Sequence, residues 1–193
     1  YFAAISPDGR YLFTGNESAY ALREIARLNQ PFPLPKLPLL VSSAVFSPDN
    51  ESILLVGFDG TAIVIDKAGK ILQKMEETSS RFMSGIFSPD GKTILLGNNA
   101  GMVSKWDLNG KQIYGFGAGR GNIISILYAP SGQAFFTIDL FGEVKKWNFE
   151  GLPLRFNILP PSKKIFFSKD GKYGAAILAS SVDQIMVFEL IKE

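Results

Sequence analysis

The chain has no cysteine and no histidine. Without cysteine there is no disulfide and no thiolate metal site. Without histidine the commonest general base and the commonest metal ligand are both missing. A charge excess is missing too: 20 Lys and Arg face 18 Asp and Glu, for a formal net charge of +2. That balance gives no electrostatic case for nucleic acid or for an anionic membrane surface as a partner. No apolar run approaches the roughly 18 residues of a membrane span, so membrane insertion is not expected. Catalytic residues, metal ligands and cofactors are all expected to be none. The cytoplasm is the favoured compartment, although a bacterial exterior fits the lack of cysteine equally well. The chain opens on Tyr1 rather than methionine, so the lack of a visible signal peptide carries little weight.

What is present is a repeat. The 193 residues, 46% apolar and 20% charged, suit one ordinary domain or part of a larger one. "SPDG" at Ser6–Gly9 returns as "SPDN" at Ser47–Asn50, as "SPDG" at Ser88–Gly91 and as "APSG" at Ala129–Gly132, each time after 41 residues. A fifth copy, "SKDG" at Ser168–Gly171, follows after 39. Other columns keep the same phase: Gly60, Gly101 and Gly142; Gly69, Gly110 and Gly151; Ile65, Trp106, Trp147 and Phe188. Chance does not hold several independent columns in step. The units are expected at about 1–35, 36–76, 77–117, 118–156 and 157–193.

The repeat decides how "KWDLNGK" at 105–111 is understood. Its equivalents are "VIDKAGK" and "KWNFEGL". The aromatic column accepts Ile65 and Phe188, so it requires apolar bulk; the acidic column accepts Asn148. A catalytic carboxylate would occur once, in one environment. Trp106, Asp107, Trp147, Gly60, Gly101 and Gly142 are therefore expected to be structural residues of the repeat.

Each unit reads as four short strands. In the third, "FMSGIFS" leads to a turn at "SPDG", with proline and glycine where a type I turn takes them. "KTILLGN" follows, then a tight turn at Ala100–Gly101, "MVSKWDL", a hairpin turn at Asn109–Gly110, and "KQIYGFG". Four antiparallel strands per unit of this length make the blade of an all-β propeller. The near-continuous apolar runs "SILLVG", "TILLGN" and "AFFTID" suit sheets covered on both faces. "YALREIARL" at 20–28 looks helical, but the register places a strand and the turn after it there.

"FSPDGKTILLGNNAGMVSKWDLNGK" resembles a blade of the WD-repeat family, and the resemblance covers nearly the whole chain. It implies a β-propeller and a non-catalytic scaffold for protein–protein interaction. Two features depart from the family pattern. The family's Gly-His dipeptide falls on Lys36–Leu37, Glu77–Thr78, Ala118–Gly119 and Asn157–Ile158, and the turn aspartate is kept at Asp59 but replaced by Ala100 and Phe141. The buried hydrogen-bond network of typical blades is therefore not expected, and apolar packing should carry more of the stability. Family propellers commonly have seven blades. About five repeats of 41 residues, the last ending at its third strand, predict a section of a seven-bladed ring, with further blades of the same chain as partners. The alternative is a five-bladed ring with a bare edge.

Several features invite a functional reading and are better explained by the repeat. "NQPFPLPKLPLL" at 29–40 holds four prolines and could be a polyproline ligand, but the register makes it the outer strand of the first unit. "GFGAGRGN" at 115–122 resembles a phosphate cradle, yet it lacks the third glycine and the following helix. Ser43, Ser84 and Ser125 share one column and have no histidine to activate them. Lys164 takes that column in the fifth unit, and it is the one conspicuous polar break there.

Partner binding is expected on the face shared by the turns between second and third strands and the loops entering the first strands. The candidate residues are Phe58, Leu140 and Phe141 on turn tips, with Arg81 and Arg120 in entering loops. The expected partners are other proteins, not nucleic acid. The alternative function is a ligand-binding or enzymatic propeller with its site at the central channel, in blades beyond this sequence.

Overall fold

The computed structural model describes residues 2–16, 19–38, 40–155, 159–168, 170–180 and 184–189. Over these described residues it is all-β, apart from a single 3-10 turn at Ile25–Arg27, and forms five antiparallel sheets arranged as propeller blades. Blade 1 comprises β1 (Phe2–Ile5), β2 (Tyr11–Gly15) and β3 (Tyr20–Glu24). Blade 2 comprises β4 (Val41–Phe46), β5 (Ser52–Gly57), β6 (Thr61–Asp66) and β7 (Ile71–Glu76). Blade 3 runs through β8 (Phe82–Phe87), β9 (Thr93–Asn98), β10 (Met102–Asp107) and β11 (Gln112–Gly117). Blade 4 holds β12 (Ile123–Tyr128), β13 (Ala134–Asp139), β14 (Val144–Asn148) and the two-residue β15 (Pro153–Leu154). Blade 5 holds β16 (Ser162–Phe167), β17 (Tyr173–Leu178) and β18 (Ile185–Glu189). Among the described residues, three sheets have four strands and two have three, where the sequence predicted four in each complete unit.

Blade 1 differs from the expected pattern for physical reasons. The proline segment gives no fourth strand; it makes one bridge, Arg23 with Pro31, because proline has no N–H to extend a ladder. It nevertheless covers the outer edge of β3. Phe32 N–H donates to Leu22 O at 2.9 Å, the Tyr20 hydroxyl donates to Pro35 O at 2.7 Å, and Leu37 N–H donates to the same hydroxyl. Phe32, Leu34 and Leu37 pack on the core of blades 1 and 2. The helix-like stretch at 20–28 is a strand followed by the 3-10 turn, as the register predicted. Its pairing is one residue short of the repeat: Gly15 faces Tyr20, whereas Val56 faces Ala62. That slip turns Leu22 into the core and leaves Arg23 on the opposite face.

Four hydrophobic clusters run along the chain, one between each pair of consecutive blades. Phe13 and Leu22 meet Phe46, Ile53 and Leu55; Leu54 and Val56 meet Ile94, Leu96 and Trp106. Leu95 and Val103 meet Phe135 and Trp147; Ile138 meets Ile165 and Ala176. The middle strand of each inner blade is buried on both sides because alternate residues serve the two neighbouring clusters.

The SPDG turns are built by one hydrogen-bond pattern. The hydroxyls of Ser6, Ser47, Ser88 and Ser168 donate to the carboxylates of Asp8, Asp49, Asp90 and Asp170 at 2.5–2.7 Å. Each carboxylate also accepts the N–H two residues on, at 3.0–3.1 Å. The serine Oγ in turn accepts the first N–H of the following strand. These bonds favour the ionised form, so all four carboxyls are held below the usual aspartate range, Asp8 at about 2. For Asp8, the Ser6 hydroxyl is the largest cause and Arg10 adds to it. With folded values lower than unfolded ones, the unfolded chain binds more protons in acid. Stability from these turns is thus complete above about pH 4 and is lost as pH falls through the folded values, toward about 2. The urea midpoint should be flat from neutrality to about pH 5 and fall steadily below about pH 4. A midpoint unchanged down to about pH 2 would contradict this account of the turns.

Candidate functional site

The repeated tryptophans lie inside blade interfaces. Trp106 is 6% exposed, packs edge-on against Phe82 at 6.3 Å, and donates Nε1–H to Ser104 Oγ at 2.8 Å. Trp147 packs at a tilt against Phe116, with ring centroids 4.6 Å apart, and donates Nε1–H to Thr137 Oγ1 at 2.9 Å. Ser104 faces Leu96 across β9 and β10, and Thr137 faces Lys145 across β13 and β14, at equivalent positions. The hydroxyl therefore sits on either member of one cross-strand pair. In blade 2, where Ile65 replaces the indole, that pair is Leu55 and Ile63, with no hydroxyl. This coupling between indole and hydroxyl is legible in the sequence once the cross-strand register is known.

Asp107 closes a turn. Its Oδ1 accepts the N–H groups of Asn109 and Lys111, both at 2.9 Å, as Asp66 does for Ala68 and Lys70 and Asn148 for Glu150 and Leu152. Gly60, Gly101 and Gly142 adopt φ of +85°, +80° and +81°, a region that side chains resist. They also lie against the loop that enters the next blade. A Cβ on Gly60 would sit 2.6 Å from Glu77 O, and one on Gly142 2.7 Å from Ser162 N.

The network of typical blades is absent at the dipeptide and turn positions of blades 3 and 4, but a different set of polar side chains serves the turns. In blade 2, Asp59 accepts Thr61 N–H at 3.0 Å. In blades 3 and 4 the acceptor has moved two residues earlier, to the end of the second strand. Asn98 Oδ1 accepts Ala100 and Met102 N–H at 2.9 Å, and Asp139 Oδ1 accepts Phe141 and Glu143 N–H at 3.0 Å. Both side chains are buried, and both reach the loop into the blade: Asn98 Nδ2 donates to Ser80 Oγ at 2.8 Å, and Asp139 Oδ2 accepts Arg120 N–H at 3.2 Å. These acceptors lie two residues before the turn position that carries aspartate in blade 2, so the turn residues Ala100 and Phe141 give no sign of them. Of the positions equivalent to the dipeptide, Asn157–Ile158 lies outside the described residues.

Moving the acceptor has a consequence for the surface. The turn tip no longer supplies its own hydrogen bond, so position 141 is free to carry an apolar side chain. Phe141 is 64% exposed and Leu140 58%, on a turn fixed from below by Asp139. The loop carrying Arg120 abuts them, since a Cβ on Gly121 would lie 3.4 Å from the Phe141 ring. Beside Phe141 runs a groove of about 470 Å³, lined by Val144, Lys145, Leu154, Leu159 and Pro161. It lies where β15 pairs only with Lys146 and Trp147 of β14.

Of the five candidate residues, the structure thus brings Leu140, Phe141 and Arg120 together. Arg81 stands at the junction of blades 2 and 3, beside a polar hollow of about 450 Å³ that includes Asp59, Glu77 and Asn99. Its backbone exchanges hydrogen bonds with Asn99 at 2.9 Å. Phe58 is only half-exposed, and its N–H donates to Leu40 O.

The other features lie as follows. Ser84 is buried and donates to Ile123 O of the next blade at 2.7 Å. Lys164 is exposed, with its ammonium 5.1 Å from the Phe166 ring. The glycine-rich 115–122 stretch is the end of β11 and the loop to blade 4; Ala118 and Gly119 N–H both donate to Gly101 O. Among the described residues, no three acidic side chains are grouped to hold a metal ion, and no helix is long and apolar enough to cross a membrane. No protein-family model matches the chain, and no curated protein matches it.

Proposed function

We propose that the chain is a non-catalytic platform for binding other proteins, of WD-repeat type, and that the Leu140–Phe141 turn with Arg120 is its main contact. The observation that supports this is the exposed apolar pair on a turn whose geometry is held by Asp139 rather than by the pair itself. A rigid apolar tip with an adjacent arginine has the chemistry of an interface centre. The partner side it suits is an apolar side chain flanked by a carboxylate. Arg81 and Phe58, one blade junction away, belong to the rim of the same face.

The test pairs wild type with the double variant Leu140→Ser, Phe141→Ser. Both positions are exposed, so the melting temperature should stay within the range of ordinary surface changes. A protein partner that binds wild type should bind the variant about 30-fold more weakly or worse, the equivalent of about 2 kcal/mol. Unchanged affinity, measured by titration calorimetry, would remove this turn from the interface.

A further inference from the structure

The outer strand of a blade bonds to its sheet on one side only. On β11 the register pairs Val103 with Phe116 and Lys105 with Tyr114, and Ala118 N–H donates to Gly101 O at 2.7 Å. Tyr114 and Phe116 therefore bond toward β10, and alternation points the N–H and C=O of Gly115 and Gly117 away from the sheet. The repeat places Lys74 and Glu76 at these two columns in blade 2, and Pro33 and Pro35 in blade 1.

The other outer edges of blades 1 to 4 are blunted, each in its own way. In blade 1 the prolines have no N–H to offer outward, while the residue between two of them, Phe32, bonds inward to Leu22. In blade 2 Lys74 and Glu76 form an ion pair on the edge, and an added strand would have to accommodate both charges. In blade 4 the described outer strand is two residues long and begins on Pro153. β11 has none of these devices. It is six residues long, and Gln112 to Gly119 include no charge and no proline. Blade 3 has a blade packed on each side, so its bare edge is a property of this strand.

We infer that β11 pairs antiparallel with β11 of a second copy, joining the two blade-3 sheets edge to edge. The occupant follows from the strand's complementarity to itself. Facing residues share a face of the sheet, so a two-fold axis normal to it permits only registers in which a residue meets its own number or one an even step away. With Gly115 on the axis, Gly115 meets Gly115, Tyr114 meets Phe116, and Ile113 meets Gly117. Glycine at the centre puts no side chain where the copies come closest. Tyr114 and Phe116 form two aromatic cross-strand pairs, and the Tyr114 hydroxyl is already fixed by donating to Phe149 O. Ile113, 51% exposed, covers the bare backbone at Gly117. The contact is isologous and one strand wide, so it closes at a dimer and is weak. It does not rest on the Leu140–Phe141 turn.

Sedimentation velocity on the full chain, from about 1 to about 500 µM, should show monomer giving way to dimer and nothing larger. Gly115→Pro copies the edge of blade 1, and the double variant Gly115→Lys, Gly117→Glu copies that of blade 2. Each should weaken dimerisation at least about tenfold. The fold should tolerate both, which circular dichroism checks: a Cβ on Gly115 first meets the end of the Gln112 side chain, at 3.0 Å, and one on Gly117 meets only Met102 Sδ, at 3.9 Å. The Leu140→Ser, Phe141→Ser variant should dimerise as wild type does. The register is read with cysteine, which the chain lacks. Gly115→Cys sets two thiols on Cα atoms about 5.5 Å apart, within disulfide reach. Gly117→Cys sets them about 14 Å apart. Mild oxidation should cross-link the first at least about tenfold faster than the second. A wild-type chain that stays monomeric overturns the inference. Dimerisation unchanged by Gly115→Pro overturns it too, by placing the contact elsewhere, and so does equal cross-linking through positions 115 and 117.

Discussion

Replacing Trp106 with alanine should destabilise the protein by about 3–5 kcal/mol, the usual range for emptying a large aromatic site in a core. The side chain fills the interface of blades 2 and 3, where Leu54, Val56, Met75, Phe82 and Leu96 surround it. These neighbours sit on paired strands of two different sheets, so they cannot collapse into the space without breaking ladder hydrogen bonds. Trp106→Phe separates volume from polarity. It keeps most of the packing but leaves Ser104 Oγ without its donor, for a loss of about 1 kcal/mol beyond the smaller ring. The double variant Trp106→Phe, Ser104→Ala should recover part of that loss. Urea denaturation of wild type, Trp106→Phe, Ser104→Ala and the double variant closes the cycle. A stable, folded Trp106→Ala protein would show that the blade interface does not rely on this column.

The blade architecture was legible because it is written several times. Columns in phase at 41 residues gave strand order, turn positions and the inward aromatic position without any single residue having to be decisive. The helix-like 20–28 stretch was placed correctly for that reason: register outweighed local composition. The edges were less legible. Proline spacing at 31–38 predicted an outer strand from register, but the missing N–H groups reduce it to one bridge and a packed cover. The one-residue slip in blade 1 was invisible because pairing, not spacing, reveals it.

At the candidate site, sequence reasoning chose the face but not the grouping. Turn tips and entering loops share one end of every blade, so all five residues were placed from topology alone. Which of them meet depends on loop geometry. The Arg120 loop lies against Phe141 at Gly121, whereas the Phe58 turn is tied by its backbone to Leu40. The acceptors Asn98 and Asp139 were not expected because they stand two residues before the turn column that holds Asp59, Ala100 and Phe141. Their signal was present: an amide or carboxylate closing an otherwise apolar strand, in "TILLGN" and "AFFTID". A polar group at the buried end of such a run requires partners, and the N–H groups of the following turn are the nearest.

Asp139→Ala should destabilise the protein by about 3 kcal/mol, because it strips acceptors from three N–H groups, those of Phe141, Glu143 and Arg120. Asp139 is 2% exposed, so water does not readily replace the carboxylate. Asp139→Asn tests the geometry. Asn98 performs the same turn closure in blade 3 through Oδ1, so asparagine should retain the bonds to Phe141 and Glu143. Its Nδ2 would then face Arg120 N–H, donor against donor, and the loss should be about 1 kcal/mol. The two variants should also separate at the surface. With asparagine the Leu140–Phe141 tip keeps its shape, and partner affinity should stay within about threefold of wild type. With alanine the turn loosens, and affinity should fall toward that of the Leu140→Ser, Phe141→Ser variant. Equal stability of the alanine and asparagine proteins would show that Asp139 does not hold the turn. Unchanged partner binding by a destabilised alanine variant would show that the turn's rigidity is not what the partner recognises.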